Sequence, residues 1–173
     1  MKLSKMPVPA QKPAALPLPQ MTSPIPNSRI RGRDGWGSGS FGASRDHGRR
    51  HHKGVDIVAK PGQAVVSPVD GTVVRTNVRP YANDPSYYGI ELETADGYRI
   101  KMFYLTPAVR VGTKVRAGEP IGTAQDISLK YPDRGSGPMT PHVHVEVRKD
   151  GRILDPTDGV TGKHTGGAAE SGG

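Results

Sequence analysis

Pro141-His142-Val143-His144-Val145-Glu146-Val147-Arg148 alternates apolar and polar residues along its whole length. A β-strand sends successive side chains to opposite faces, so Val143, Val145 and Val147 share one face and His142, His144 and Glu146 the other. Two imidazoles two residues apart on one strand enter the same space. That arrangement suits a metal site, in which one His binds the ion and its neighbour works beside it. Taken alone, the pattern reads more readily as a half-exposed strand with polar residues facing water, and Glu146 as a solvent-facing carboxylate before a partner that orients an imidazole.

A second segment changes the balance. In His52-Lys53-Gly54-Val55-Asp56 a His and a carboxylate stand four apart, just before the apolar run Ile57-Val58-Ala59. This reads as a loop feeding a strand. Imidazole nitrogen and carboxylate oxygen are both zinc ligands, and one His from each segment plus the Asp makes three protein ligands. A catalytic zinc keeps its fourth position for water, whereas a structural zinc is normally closed by four protein ligands. The chain has no Cys, which excludes a thiolate site.

His-x-x-x-Asp followed much later by His-x-His resembles the lysostaphin/LytM-type zinc metallopeptidases, enzymes that cut peptide cross-links of bacterial cell walls. The resemblance runs from about Arg29 to Thr157. It includes Gly54-Val55-Asp56-Ile57, Ser67-Pro68-Val69-Asp70-Gly71-Thr72-Val73, the stretch from Val111 to Gly122, and the His-x-His strand. It implies a mostly antiparallel β-sheet crossed by a groove floored by Zn²⁺. It also implies His52, Asp56 and His144 as metal ligands, His142 as general base, and peptidoglycan peptides as substrate. The register of the motif and Gly54 favour His52 over its neighbour His51, expected to be a solvated residue. His47 and His164 match nothing.

One position departs from the family. The Tyr-x-His-Leu segment usually found between the metal motifs reads Met102-Phe103-Tyr104-Leu105 here, with Tyr104 in the His slot. The same substitution marks the leukocyte cell-derived chemotaxin 2 branch, regarded as zinc-binding signalling proteins, and Gly37 to Arg45 resembles that branch too. A phenol with a pKa near 10 is no base at neutral pH. It can donate a hydrogen bond to an oxyanion, so the expected catalytic pair is His142 with Tyr104. The alternative is a zinc-stabilised module of the same fold that binds a wall or protein ligand without cutting it.

Composition bounds the rest. At 173 residues there is room for one ordinary domain. Gly (23) and Pro (17) are frequent, which points to a turn-rich chain with flexible ends. Many short strands separated by Gly and Asp turns imply an all-β domain over 29–157. Residues 1–28 are rich in Pro and residues 158–173 in Gly; both are expected to be disordered tails that bury no core. Met1 to Gln20 has no apolar stretch, so neither a signal peptide nor a membrane span is expected. The anticipated site of action is the bacterial envelope, the periplasm or outside the cell. A phage or secretion assembly, tethered through the N-terminal tail, is one route there. A monomer is expected.

The net charge of +8 draws the chain towards polyanions such as envelope polymers. Residues 29–51 interleave Trp36 and Phe41 with six Arg residues, a mixture that also suits nucleic acid. Because this loop leads into His52, it is read as a cleft wall. Trp36, Phe41 and Tyr81, the last in the Arg79 to Tyr88 loop, are the substrate-contact candidates, and no nucleic-acid partner is expected. Two hairpins are expected as well: Val65-Val66 with Thr72–Val74 around Asp70-Gly71, and Gly89–Glu93 with Tyr98–Leu105 around Ala95–Gly97.

Overall fold

The computed structural model describes residues 16–162. Among them, twelve short strands carry the fold: β1 (Ser44–Arg45), β2 (Arg50–His51), β3 (Val55–Val58), β4 (Ala64–Val66), β5 (Gly71–Val78), β6 (Gly89–Glu93), β7 (Arg99–Phe103), β8 (Leu105–Pro107), β9 (Lys114–Val115), β10 (Pro120–Ala124), β11 (His142–Lys149) and β12 (Arg152–Leu154). The one α-helix among the described residues, α1, is Thr157–Thr161. Every strand pairing is antiparallel, and the fold is all-β as expected.

The main sheet runs β12-β11-β7-β6-β5-β9, with β3 paired to the first half of β11; β4-β10-β8 forms a second, smaller sheet. β11 is the spine. Its Val143, Val145 and Val147 are fully buried, together with Ile100 and Met102 of β7 and Ile90 and Leu92 of β6. These side chains fill the space between the sheets, and their alternation leaves His142, His144 and Glu146 on the opposite face, as the sequence pattern requires.

The β6–β7 hairpin forms as expected, from Gly89↔Phe103 to Glu93↔Arg99. The other expected hairpin does not form. β4 pairs with β10, and β5 pairs with β6 and β9. The intervening segment is captured by the 116–119 turn instead: Asp70 Oδ1 accepts the Ala117 N–H at 2.8 Å, and the Ser67 carbonyl accepts that of Gly118 at 2.8 Å. Asp70-Gly71 is therefore where the chain crosses from one sheet to the other.

Both expected tails need correction where they are described. Ile25 is fully buried in the core, with Leu18 and Met21 packed against it. The Thr22 N–H donates to the Pro68 carbonyl, the Val66 N–H to the Pro24 carbonyl, and the Tyr98 hydroxyl to the Pro17 carbonyl. A Pro-rich segment lacks its own periodic structure, yet one Ile and a few backbone bonds anchor it. At the other end α1 begins at the expected boundary, Thr157, and runs past it, and its Val160 is buried. A Cβ at Gly159 would sit 2.4 Å from Met21 Cγ, so this helix closes on the N-terminal segment. The remaining parts of the two expected tails, residues 1–15 and 163–173, lie outside the described residues.

Candidate metal centre

The β3–β11 register sets Asp56 directly opposite His144. Side chains so paired have Cβ atoms about 4.5–5.5 Å apart, close enough for short polar groups to meet. His52 arrives from the preceding loop, which is tied to the 40–43 segment by Gly42 N–H to His52 carbonyl and His52 N–H to Ala43 carbonyl bonds, each 2.8 Å. Gly54 lets that loop lie flat on β11, since a Cβ there would come within 2.1 Å of the Val145 carbonyl oxygen. This is the physical reason for glycine inside the motif.

Three donor atoms converge. His144 Nδ1 is 2.9 Å from Asp56 Oδ1, His52 Nε2 is 3.1 Å from the same oxygen, and the two ring nitrogens are 3.0 Å apart. A tetrahedral site with bonds near 2.0–2.1 Å has donors about 3.3 Å apart, a few tenths of an ångström from this trio. The far side of each ring shows what the near side must be. His52 Nδ1–H donates to the Ser40 carbonyl at 3.0 Å, and His144 Nε2–H donates to Glu146 Oε2 at 2.9 Å. In the neutral rings both converging nitrogens therefore carry lone pairs, aimed at each other and at a carboxylate. Such a cluster fits a cation.

Without a cation, His144 must keep a proton instead. Burial opposes its charge, but hydrogen bonds to Asp56 and Glu146 outweigh burial and raise its pKa to about 9. Burial works against the charge of Asp56 as well, yet the surrounding imidazoles hold its carboxyl well below the usual range.

His142 is built differently. Its Nδ1–H donates to the Thr140 carbonyl at 2.7 Å, so Nε2 bears the lone pair, 3.4 Å from Asp56 Oδ2. Burial pushes its pKa down to about 4, only partly offset by Asp56. At neutral pH it is an uncharged ring with a free nitrogen beside the trio.

Tyr104 stands edge-on to His142, with ring centroids 5.2 Å apart. It lies between β7 and β8 in the left-handed region, at φ 71°. Strict alternation after Phe103, which stacks on His144 at 5.4 Å, would turn residue 104 into the core. The left-handed residue resets the alternation, so Leu105 enters the core and Tyr104 joins His142. Strain of this kind in a bulky residue collects at functional sites. Burial raises the Tyr104 pKa, so the phenol stays protonated and can only donate or accept hydrogen bonds.

The substrate-contact candidates separate. The Tyr81 hydroxyl is 3.0 Å from that of Tyr104 and accepts a bond from Tyr131 at 2.9 Å, which makes a row of three phenols. Trp36 is half-buried, packs edge-on against Tyr131 at 5.0 Å, and donates from Nε1 to the Pro132 carbonyl, joining the 29–39 and 131–140 loops. Phe41 packs against the core with Leu18 and Leu154 and lines a pocket with the N-terminal segment and β12. Among the described residues no ring contact joins Phe41 to the aromatic group at His142. His51 is exposed, as expected.

Two contributors lie beyond the expected site. Glu146, read as a solvent-facing carboxylate before a partner that orients an imidazole, is buried and orients His144. Arg31, one of several Arg residues in its loop, is buried against Asp56 Oδ2. Alternation gave the face of Glu146 but not its cover, and no local pattern singles out Arg31.

The model of peptidase family M23 matches residues 50–156, a span that contains His52, Asp56, Tyr104, His142 and His144. Leukocyte cell-derived chemotaxin-2 of Mus musculus is 35% identical over 121 residues, 69% of this chain and 74% of the mouse protein. Stage II sporulation protein Q of Bacillus subtilis strain 168 is 34% identical over 107 residues, 60% of this chain but 34% of that protein. Among solved structures, the catalytic domain of lysostaphin from Staphylococcus simulans superposes with a TM-score of 0.53 at 25% identity, covering 75% of this chain and 90% of that domain. With the donor trio inside the matched span and the β framework shared, the chain belongs to peptidase family M23.

Proposed function

We propose that this protein is a zinc-dependent endopeptidase that hydrolyses peptide cross-links of bacterial peptidoglycan, acting in the bacterial envelope or outside the cell. The observation that carries the reading is His142. Holding a metal does not require it, yet it is present, neutral, and fixed with Nε2 free beside the three donor atoms.

His52, Asp56 and His144 would hold the zinc, with Glu146 and the Ser40 carbonyl setting their tautomers. A zinc ion there supplies two things: it lowers the pKa of a water to roughly 7 and polarises the scissile carbonyl. The chain's own residues do the rest. His142 Nε2 takes a proton from the attacking water and delivers it to the leaving amine nitrogen as the C–N bond breaks. The Tyr104 hydroxyl donates to the oxygen on which negative charge develops. Trp36, Tyr131 and Tyr81 form an aromatic wall against which the peptide lies. Leu18, Met21 and Ile25 pack on the domain's own core and would not be part of a tether to a phage or secretion assembly.

A second reading, a zinc-holding module that recognises a wall or protein partner without cutting, is favoured by one observation, Tyr104 in the place of the usual His. Incubation of the zinc-loaded protein with purified sacculi, products read by mass spectrometry, decides between the two. Cleaved cross-links with wild type and none with His142→Ala support the enzyme. Silence of the zinc-loaded wild type on walls of several chemistries moves the conclusion to the binding module.

A further inference from the structure

Arg31 is 1% exposed, and burying a guanidinium is costly unless it is paired. Here it is. Nε and Nη2 reach Asp56 Oδ2 at 3.1 and 3.0 Å, while Nη1 reaches Asp34 Oδ2 at 2.7 Å and the Gly37 carbonyl at 2.9 Å. Asp34 has further work. Its Oδ1 accepts the Trp36 N–H at 2.8 Å, and its Oδ2 also accepts the Thr140 N–H at 2.9 Å. The carbonyl of that same Thr140 receives His142 Nδ1–H.

The backbone holds this device without help from the side chains. The Arg31 N–H donates to the Asp56 carbonyl at 2.7 Å, Gly39 N–H to the Arg31 carbonyl at 3.0 Å, and Asp56 N–H to the Gly39 carbonyl at 2.9 Å. A Cβ at Gly39 would lie 2.7 Å from Arg31 Cβ and 2.8 Å from Asp56 Cβ, so only glycine lets the three strands of chain meet.

We infer that Arg31 and Asp34 form one positioning pair that serves both halves of the centre. Arg31 occupies Asp56 Oδ2, which leaves Oδ1 as the single oxygen offered to a metal and keeps a further coordination position open. Asp34, through Thr140, holds His142 as its Nδ1–H tautomer, with Nε2 as the free base. The inference rests on the metal reading proposed above and is independent of whether the protein hydrolyses anything. Arg31 lies outside the segment matched to the family.

Lys cannot replace Arg31, because one ammonium group cannot reach two carboxylates and a carbonyl in a fixed fork. Two variants test the pair, Arg31→Lys and Asp34→Asn, each read by zinc affinity against a chromophoric chelator and by ¹⁵N NMR of the His142 ring in the zinc-loaded protein. Zinc affinity should fall about 10- to 100-fold in Arg31→Lys, the usual effect of losing a partner of a metal ligand. The His142 ring should become a mixture of tautomers in Asp34→Asn. A purely structural role would lower the melting temperature and leave both readouts of the folded protein where they were. Wild-type affinity and a single Nδ1–H tautomer in the folded variants would overturn the inference. If Arg31→Lys does not fold, the Asp34→Asn tautomer decides. A wild type that binds no zinc overturns the metal reading and this inference together; a zinc-binding wild type with unaltered variants overturns this inference alone.

Discussion

Asp56 Oδ1 and His144 Nδ1 lie 2.9 Å apart because their residues face each other across the β3–β11 pair. With His52 they form a donor set that could hold a metal ion. The protein should carry close to one zinc per chain. His52→Ala, Asp56→Ala and His144→Ala should each lose it, and His142→Ala should retain it. Elemental analysis of the four variants checks this; equal metal loss in His142→Ala would show the ligand set to be wrong.

The proton that His144 holds without metal sets the pH dependence of zinc binding. Its pKa is raised to about 9. Ligands must be deprotonated, so below pH 9 each zinc displaces one proton. Apparent affinity should rise about tenfold per pH unit up to pH 9 and then level off. Calorimetry in buffers of different ionisation enthalpy measures that proton directly.

The same groups shape the stability of the metal-free protein. His144 is raised above the unfolded value near 6.5, so its contribution is complete below pH 6.5 and is lost as pH rises towards 9. His142 is lowered to about 4, so the folded state refuses a proton that the unfolded chain accepts, and stability is lost as pH falls from 6.5 to 4. Each limb amounts to about 3 kcal/mol. Chemical denaturation with a chelator present should show maximum stability near pH 6.5, and the acid limb between pH 6.5 and 4 should shrink in His142→Gln.

How much of this was legible depends on whether the information is local. His142, His144, His52 and Asp56 sit in short patterns whose period and spacing survive folding, and all four meet. Arg31 meets Asp56 across 25 residues with no period between them. Tyr104 breaks alternation through its own left-handed backbone, which no neighbouring Gly or Pro announces. The β-branched runs on either side of Asp70-Gly71 announce a turn correctly but not their partners, which the Asp70–Ala117 bond decides. Ile25 is a single apolar residue among prolines, and only the cavity that it fills gives it meaning.

That burial makes a prediction. Ile25→Ala removes a fully buried side chain from the junction of the N-terminal segment and the core. It should destabilise the protein by about 2–5 kcal/mol, the range for large-to-small core changes. A passive tail would give no effect, so an unaltered urea midpoint would refute the anchoring role.

Tyr104 carries the decision between cutting and binding. Its ring meets His142 and its hydroxyl meets Tyr81, so the phenol is held by a row of partners. Burial keeps it protonated, which leaves donation to an oxyanion as its one catalytic use. Tyr104→Phe keeps the ring contact and removes the donor. It should lower turnover about 10²- to 10³-fold with zinc content unchanged. Tyr81→Phe removes only the hydroxyl's partner and should cost less. Tyr104→His restores a second imidazole opposite His142 and should at least match the wild type. Cleavage of a cross-linked wall peptide by these variants and by His142→Ala supplies the measurement. Activity that survives His142→Ala would defeat the proton-transfer scheme, and a Tyr104→Phe variant as fast as wild type would remove the phenol from it while leaving the metal centre intact.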